Sequence, residues 1–139
     1  MFKSAAEGDI QDISALHICF RLANGAPSAY ENDHWIRTKL RSIYVLRDGP
    51  DLVGAFSLVS NGKEEARLLT LAICRRQRGK GLGREMVGHA IELAKGSGAT
   101  TLHVLSGKRY NAAGFYERLG FDRDEKSSGT DNYAFKLRL

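Results

Sequence analysis

The chain has 139 residues, 42% of them hydrophobic and 27% charged, with a net charge of +5 at neutral pH. This is an ordinary globular make-up, and the length suits one core that buries about two-thirds of the unfolded surface. No apolar stretch approaches the roughly 20 residues that span a bilayer, and Met1 to Glu7 lacks the apolar core of a signal peptide. The expectation is a soluble, cytoplasmic, single-domain protein over residues 1–139.

In chain order, Phe2 to Ala6 reads as an edge strand. Asp9, with Asp12 three residues on, reads as the N-cap of a helix whose apolar positions are Ile10, Ile13, Leu16 and Phe20, ending near Asn24-Gly25. Pro27 interrupts the pattern, and Trp35, Ile36 and Leu40 suggest a short helix over Asp33 to Arg41. Ser42 to Arg47 and Leu52 to Ser60 read as strands joined at Asp48-Gly49-Pro50-Asp51. Asn61-Gly62 signals a hairpin into Ala66 to Cys74, giving a three-stranded antiparallel meander. Met86, Val87, Ala90, Leu93 and Ala94 keep helical spacing from Leu82 to Lys95, with Gly96 as the stop. A buried strand over Thr100 to Leu105 follows, then a helix over 110–119 stopped by Gly120, then strands over Asp122 to Lys126 and Asn132 to Leu137. No internal repeat or linker interrupts this order.

The basic charge is concentrated. Arg75 to Arg84 carries five cationic side chains, three alternate glycines and no acid, between a strand and a helix start. Alternating glycines let amides turn inward around an anion, and a helix start adds unpaired donors, so the segment reads as a phosphate cradle. Its spacing is not that of a P-loop, and the third glycine of the dinucleotide fingerprint is replaced by Arg84. The alternative is a solvated basic connector. A nucleic-acid binder needs a broad basic face, but Glu64, Glu65, Asp122, Asp124 and Glu125 interrupt any stripe, so nucleic acid is not expected. Cys19 falls in a helical apolar pattern, and with Cys74 it reads as a reduced small hydrophobe; no metal-ligand spacing appears.

Arg78-Gly79-Lys80-Gly81-Leu82-Gly83 matches Arg/Gln-x-x-Gly-x-Gly/Ala, and Ala112 to Phe121 matches Ala-x-x-x-Tyr-x-x-x-Gly-Phe. Together, in this order and separation, they resemble the GCN5-related N-acetyltransferase (GNAT) superfamily over nearly the whole chain. The resemblance implies an α/β fold with a mixed sheet of about seven strands and about four helices. In it the 66–74 and 100–105 strands run parallel and splay apart.

The resemblance also implies acetyl-CoA as cofactor, bound by Arg78, Gly79, Lys80, Gly81, Leu82, Gly83 and Arg84. A bulge on the preceding strand would turn the amides near Leu71 and Ile73 toward the acetyl and pantetheine groups, and Tyr116 would bind the cofactor and protonate the leaving sulfur. Family members place an asparagine seven residues before this tyrosine. Here that position is Arg109, with Asn111 two residues later, and either could contact the cofactor. Glu65 lies at an even separation from Leu71 and Ile73, so on an unbulged strand it would share their face as general base; the alternatives are a solvated carboxylate and ordered water. The implied acceptor pocket involves 26–40 and 127–132, where Tyr30, Glu31 and Trp35, with Asp33 and His34, suit an ammonium group. The same residues also read as a helix cap with one buried tryptophan.

The implied activity is acetyl transfer to a primary amine of a small molecule or peptide by direct attack in a ternary complex. The alternatives are a protein N-terminal or lysine acetyltransferase, and a non-catalytic acyl-CoA sensor. No membrane partner is expected, and the chain could be a monomer or a homodimer.

Overall fold

A computed structural model describes residues 2–24, 28–61, 64–108 and 112–139, with 20–24 as backbone only. The elements are β1 (Lys3–Ser4), α1 (Ile10–Asn24), α2 (Asp33–Lys39), β2 (Ile43–Asp48), β3 (Asp51–Ser60), β4 (Glu65–Ile73), α3 (Leu82–Gly96), β5 (Thr101–Gly107), α4 (Ala113–Arg118), β6 (Asp122–Arg123) and β7 (Asn132–Arg138). The strands form a mixed seven-stranded sheet in the order β1-β2-β3-β4-β5-β7-β6. The chain divides into two compact units, Met1–Ser57 with Thr70–Met86, and Leu58–Leu69 with Val87–Leu139.

In the first unit, Ile10, Ile13 and Leu16 recur at helical spacing and pack with Ile36, Ile43, Val45, Ala55 and Ala72. Asp9 does not cap α1. It ends a 3-10 turn over Glu7–Asp9, where its Oδ2 accepts the Ala6 amide at 2.8 Å, and the α-helix begins one residue later. Arg47 on β2 donates to Asp9 Oδ1 at 2.8 Å and to Asp12 Oδ2 at 2.7 Å, tying the helix start to the strand. The Asn32 side chain caps α2 by accepting the Trp35 amide at 3.0 Å, and the helix tightens at Lys39 into a 3-10 turn over Leu40–Ser42 instead of running to Arg41. β2 and β3 pair antiparallel through a tight turn at Gly49-Pro50.

In the second unit, β4 and β5 pair in parallel from Glu65–Thr101 to Leu68–Val104, and β5 pairs antiparallel with β7. Gly62 lies outside the described residues, but the Asn61 amide donates to the Glu65 carbonyl at 3.1 Å, as expected at the foot of a hairpin. Glu64 adopts φ +76°, and its carbonyl accepts the Thr100 and Thr101 amides at 2.7 and 3.1 Å. The stop of α3 is Gly98, not Gly96: the Gly98 amide bonds Lys95 and the Ala99 amide bonds Ala94, a Schellman closure. The same closure ends α4 at Gly120, with Phe121 bonded to the Tyr116 carbonyl and its ring 5.6 Å from the Tyr116 ring. β6 is two residues long: the Asp124 amide still donates to the Ala134 carbonyl on β7 at 2.8 Å, but its own carbonyl accepts the Ser127 and Ser128 amides and starts a turn.

The pairing of β3 with β4 shifts register. A regular ladder that sets Asn61 opposite Glu65 would bring Ile73 opposite Val53, but it is the Cys74 amide that bonds the Val53 carbonyl, at 2.9 Å. One extra residue is therefore accommodated on β4, which is a β-bulge.

Candidate cofactor loop and acceptor region

Beyond Ile73 the chain makes a 3-10 turn over Arg75–Gln77 and then the loop 78–81, from which α3 departs. Gly79 and Gly81 hold φ of +76° and +84°, a conformation that side chains rarely adopt. A Cβ built on either would meet nothing within 4 Å, so it is backbone geometry and not crowding that calls for glycine. The first intrahelical bond of α3 runs from the Glu85 amide to the Gly81 carbonyl, at 3.1 Å. The amides of Leu82, Gly83 and Arg84 therefore lack intrahelical acceptors.

Arg75, Lys80 and Arg84 are exposed and have no acidic partner among the described residues, whereas Arg76 pairs with Asp51 at 3.2 Å. Arg78 Nε approaches the Ile73 carbonyl at 3.4 Å, linking the loop to the strand end. Leu82 is buried and anchors the first turn, while Leu71 and Ile73 are half-buried on β4. Free amides, positive helix end and unpaired cations make a donor set that fits a diphosphate.

In the second unit, Tyr116 is 7% exposed, between Phe115, Phe121 and Phe135 with ring centroids at 5.0, 5.6 and 5.5 Å. Burial pushes its phenol up to about 12, so the hydroxyl keeps its proton at neutral pH. Arg109 and Asn111 lie outside the described residues. The Glu65 carboxylate is half-exposed, accepts from Asn61 Nδ2 at 3.2 Å, and lies 3.5 Å from His103 Nε2 without hydrogen-bonding geometry. Glu65 shares the face of Leu71 and Ile73 only on an unbulged strand, and β4 carries a register shift between Glu65 and Cys74.

The acceptor residues of the first unit divide. Tyr30, not Trp35, is the buried aromatic: Tyr30 is 6% exposed and Trp35 39%. The Tyr30 hydroxyl is spent on Ser57 Oγ at 3.2 Å, and Lys39 Nζ sits 4.9 Å above the Trp35 ring. Glu31 Oε2 accepts the Ser28 amide at 2.8 Å while Ser28 Oγ accepts the Tyr30 amide at 3.1 Å, so Glu31 completes a capping box.

Two features escaped the sequence reading. His17 is buried on α1 and bonds Thr70 on β4, 53 residues away, beyond the reach of any local pattern. Cys19 is exposed, not packed in the apolar face of α1, and with Cys74 it lines a cleft of about 510 Å³ walled also by Asp12, Leu16, Leu52 and Arg76. Among the described residues no group of three or more His, Cys, Asp or Glu could hold a metal, and no helix is long and apolar enough to cross a membrane.

Comparison with curated proteins by sequence gives no match. Several solved structures share the fold at low identity. N-acetylglutamate synthase from Neisseria gonorrhoeae, complexed with coenzyme A and N-acetyl-glutamate, superposes on the whole chain with a TM-score of 0.83 at 20% identity, but this chain spans only 35% of its length. PaiA N-acetyltransferase from Thermoplasma acidophilum, in complex with coenzyme A, gives a TM-score of 0.79 at 16% identity, covering all of this chain and 98% of that one. Ard1 from Thermoplasma volcanium gives 0.80 at 16%, covering all of this chain and 97% of its own. The model of the acetyltransferase (GNAT) family matches residues 11–121, a span that takes in both the glycine loop and Tyr116, and the chain belongs to that family.

Proposed function

We propose that the chain acts as a single acetyl-CoA-dependent N-acetyltransferase domain, moving the acetyl group to a primary amine of a small molecule or peptide by direct attack in a ternary complex. The observation that carries this reading is the open loop at Gly79 and Gly81, whose amides and cations suit the diphosphate of coenzyme A. Bound acetyl-CoA supplies a thioester carbonyl to be attacked and a sulfur that departs.

The chain's own residues supply the rest. Amides of Gly79 to Arg84, with Arg78, Lys80 and Arg84, hold the diphosphate. Backbone amides next to the β4 bulge, near Leu71 and Ile73, polarise the carbonyl. Tyr116 gives its proton to the departing sulfur, which is feasible because its buried hydroxyl stays protonated far above neutral pH. An ammonium acceptor loses a proton before attack and the attacking nitrogen loses another afterwards. Ordered water takes these two protons and returns one of them to Tyr116, releasing the other to solvent, since Glu65 is tied to the hairpin turn.

Two measurements test the proposal. Calorimetry should detect coenzyme A binding, and free-thiol release from acetyl-CoA should appear with at least one amine in a panel of polyamines, aminoglycosides, amino acids and short peptides. Tyr116→Phe should cut turnover by about a hundredfold or more while leaving coenzyme A affinity unchanged. Binding without thiol release would favour a sensor, and absence of binding would remove the reading altogether.

A further inference from the structure

His17 is 2% exposed, and its bonds determine where its proton lies. Nδ1 is 2.9 Å from the Ile13 carbonyl, which can only accept, so Nδ1 carries the hydrogen. Burial holds the imidazole below its ordinary value against the opposing pull of the Ile13 bond and the Glu31 charge, so the ring is neutral and Nε2 is a bare acceptor. Nε2 stands 3.1 Å from Thr70 Oγ1, and the threonine must therefore donate.

The ring is also held from the side. Tyr30 stacks on His17 at 5.3 Å and 25°. Ser42 Oγ donates to the Lys39 carbonyl at 2.8 Å, so in the 3.0 Å contact with Ser57 it accepts, and Ser57 in turn accepts from the Tyr30 hydroxyl at 3.2 Å. Each hydroxyl in this chain has one hydrogen and each is assigned, so Tyr30 is locked and the imidazole it supports is locked with it.

Thr70 has spent its one hydrogen on His17. Its two lone pairs remain, the residue is half-buried rather than sealed in the core, and the hydroxyl has no other partner among the described residues. β-Branching limits where the hydroxyl oxygen sits, and the bond to the bare Nε2 of His17 holds its hydrogen inward. Thr70 is an acceptor-only group one residue before Leu71, and such a group recognises N–H donors.

We infer that Thr70, oriented by the buried His17, is the hydrogen-bond acceptor that binds the N–H of the amine substrate. The inference rests on the N-acetyltransferase reading above and deepens it: Thr70 is an amine-binding residue, and His17 is a positioning residue that acts through it. Holding one N–H leaves the nitrogen lone pair to be aimed at the carbonyl while disfavouring substrates that present only acceptors.

The test compares Thr70→Val, which keeps the shape and removes the acceptor, with Thr70→Ser, which keeps the hydroxyl, using the best amine of the wild-type panel. Thr70→Val should lower kcat/KM for the amine by about ten- to a hundredfold, chiefly through KM, with coenzyme A affinity unchanged, and Thr70→Ser should recover most of the loss. In the free wild-type protein, nitrogen NMR should find His17 protonated at Nδ1 and bare at Nε2, and this measurement serves even if Thr70→Val fails to fold. Unchanged amine kinetics in Thr70→Val, or a hydrogen on Nε2, overturns the inference alone. A wild-type protein that releases no thiol with any amine overturns the acetyltransferase reading, and the inference falls with it.

Discussion

The loop that follows β4 and the polar chain behind Thr70 handle hydrogen bonding in opposite ways. In the loop, Lys80 and Arg84 stand in solvent without acidic partners among the described residues, and three amides at the start of α3 lack intrahelical acceptors. Behind Thr70, His17, Tyr30 and Ser57 are buried and their hydrogens are committed to the Ile13 carbonyl, Ser57 and Ser42, respectively. Spare donors at a surface are binding capacity, and losing them removes ligand affinity with little effect on stability. Satisfied donors in a core are structure, and losing one leaves a desolvated partner behind.

The sharpest break of this contrast is charge reversal in the loop. Lys80→Glu combined with Arg84→Glu should weaken coenzyme A binding about a hundredfold, since charge-assisted bonds are the strong ones, while the melting temperature stays within a few degrees of wild type. Calorimetry and thermal unfolding on the same sample check both halves. Next in size, Tyr30→Phe should cost about 1–2 kcal/mol of unfolding free energy by depriving Ser57 of its donor, with coenzyme A affinity unaltered. Equal losses of affinity in the two variants would erase the distinction between the regions.

Gly81→Ala should blur the distinction on purpose. Its φ of +84° penalises any side chain by about 1 kcal/mol even though a Cβ meets nothing, so stability and cofactor affinity should both fall. The smallest effect concerns pH. His17 titrates below its ordinary 6.5 in the folded state, so the unfolded chain binds the proton first as pH falls. The contribution of the neutral, buried ring is whole above 6.5 and is lost as pH drops from there through the folded value. Urea midpoints at two pH values flanking 6.5 should fall on the acid side in wild type, and the fall should shrink in His17→Phe.

Where the sequence reading succeeded, the signal was local. Of the three alternate glycines, Gly79 and Gly81 hold positive φ in the loop while Gly83 lies within α3, and Gly120 closes α4 as its position before Phe121 suggested. The apolar spacing of α1 also emerged as expected, whereas the parallel run of β4 with β5 is what the family resemblance implied and no local pattern showed. Where it missed, the deciding partner was remote or the difference subtle. Trp35 and Tyr30 are both aromatic and five residues apart, but it is Tyr30 that packs in the core, stacked on His17 with Ser57 taking its hydroxyl. Gly96 and Gly98 both offer a helix stop, and the closing bonds to Lys95 and Ala94 choose the second.

The one-dimensional order of residues determined the family, the glycine loop before α3 and the tyrosine before Gly120-Phe121, because each is carried by short motifs of fixed local spacing. Folding decided the register shift in β4, the solvent exposure of Cys19 and the pairing of His17 with Thr70. A single inserted residue reverses strand alternation without altering composition, and a hydrogen bond across 53 residues exists only once sheet and helix have packed.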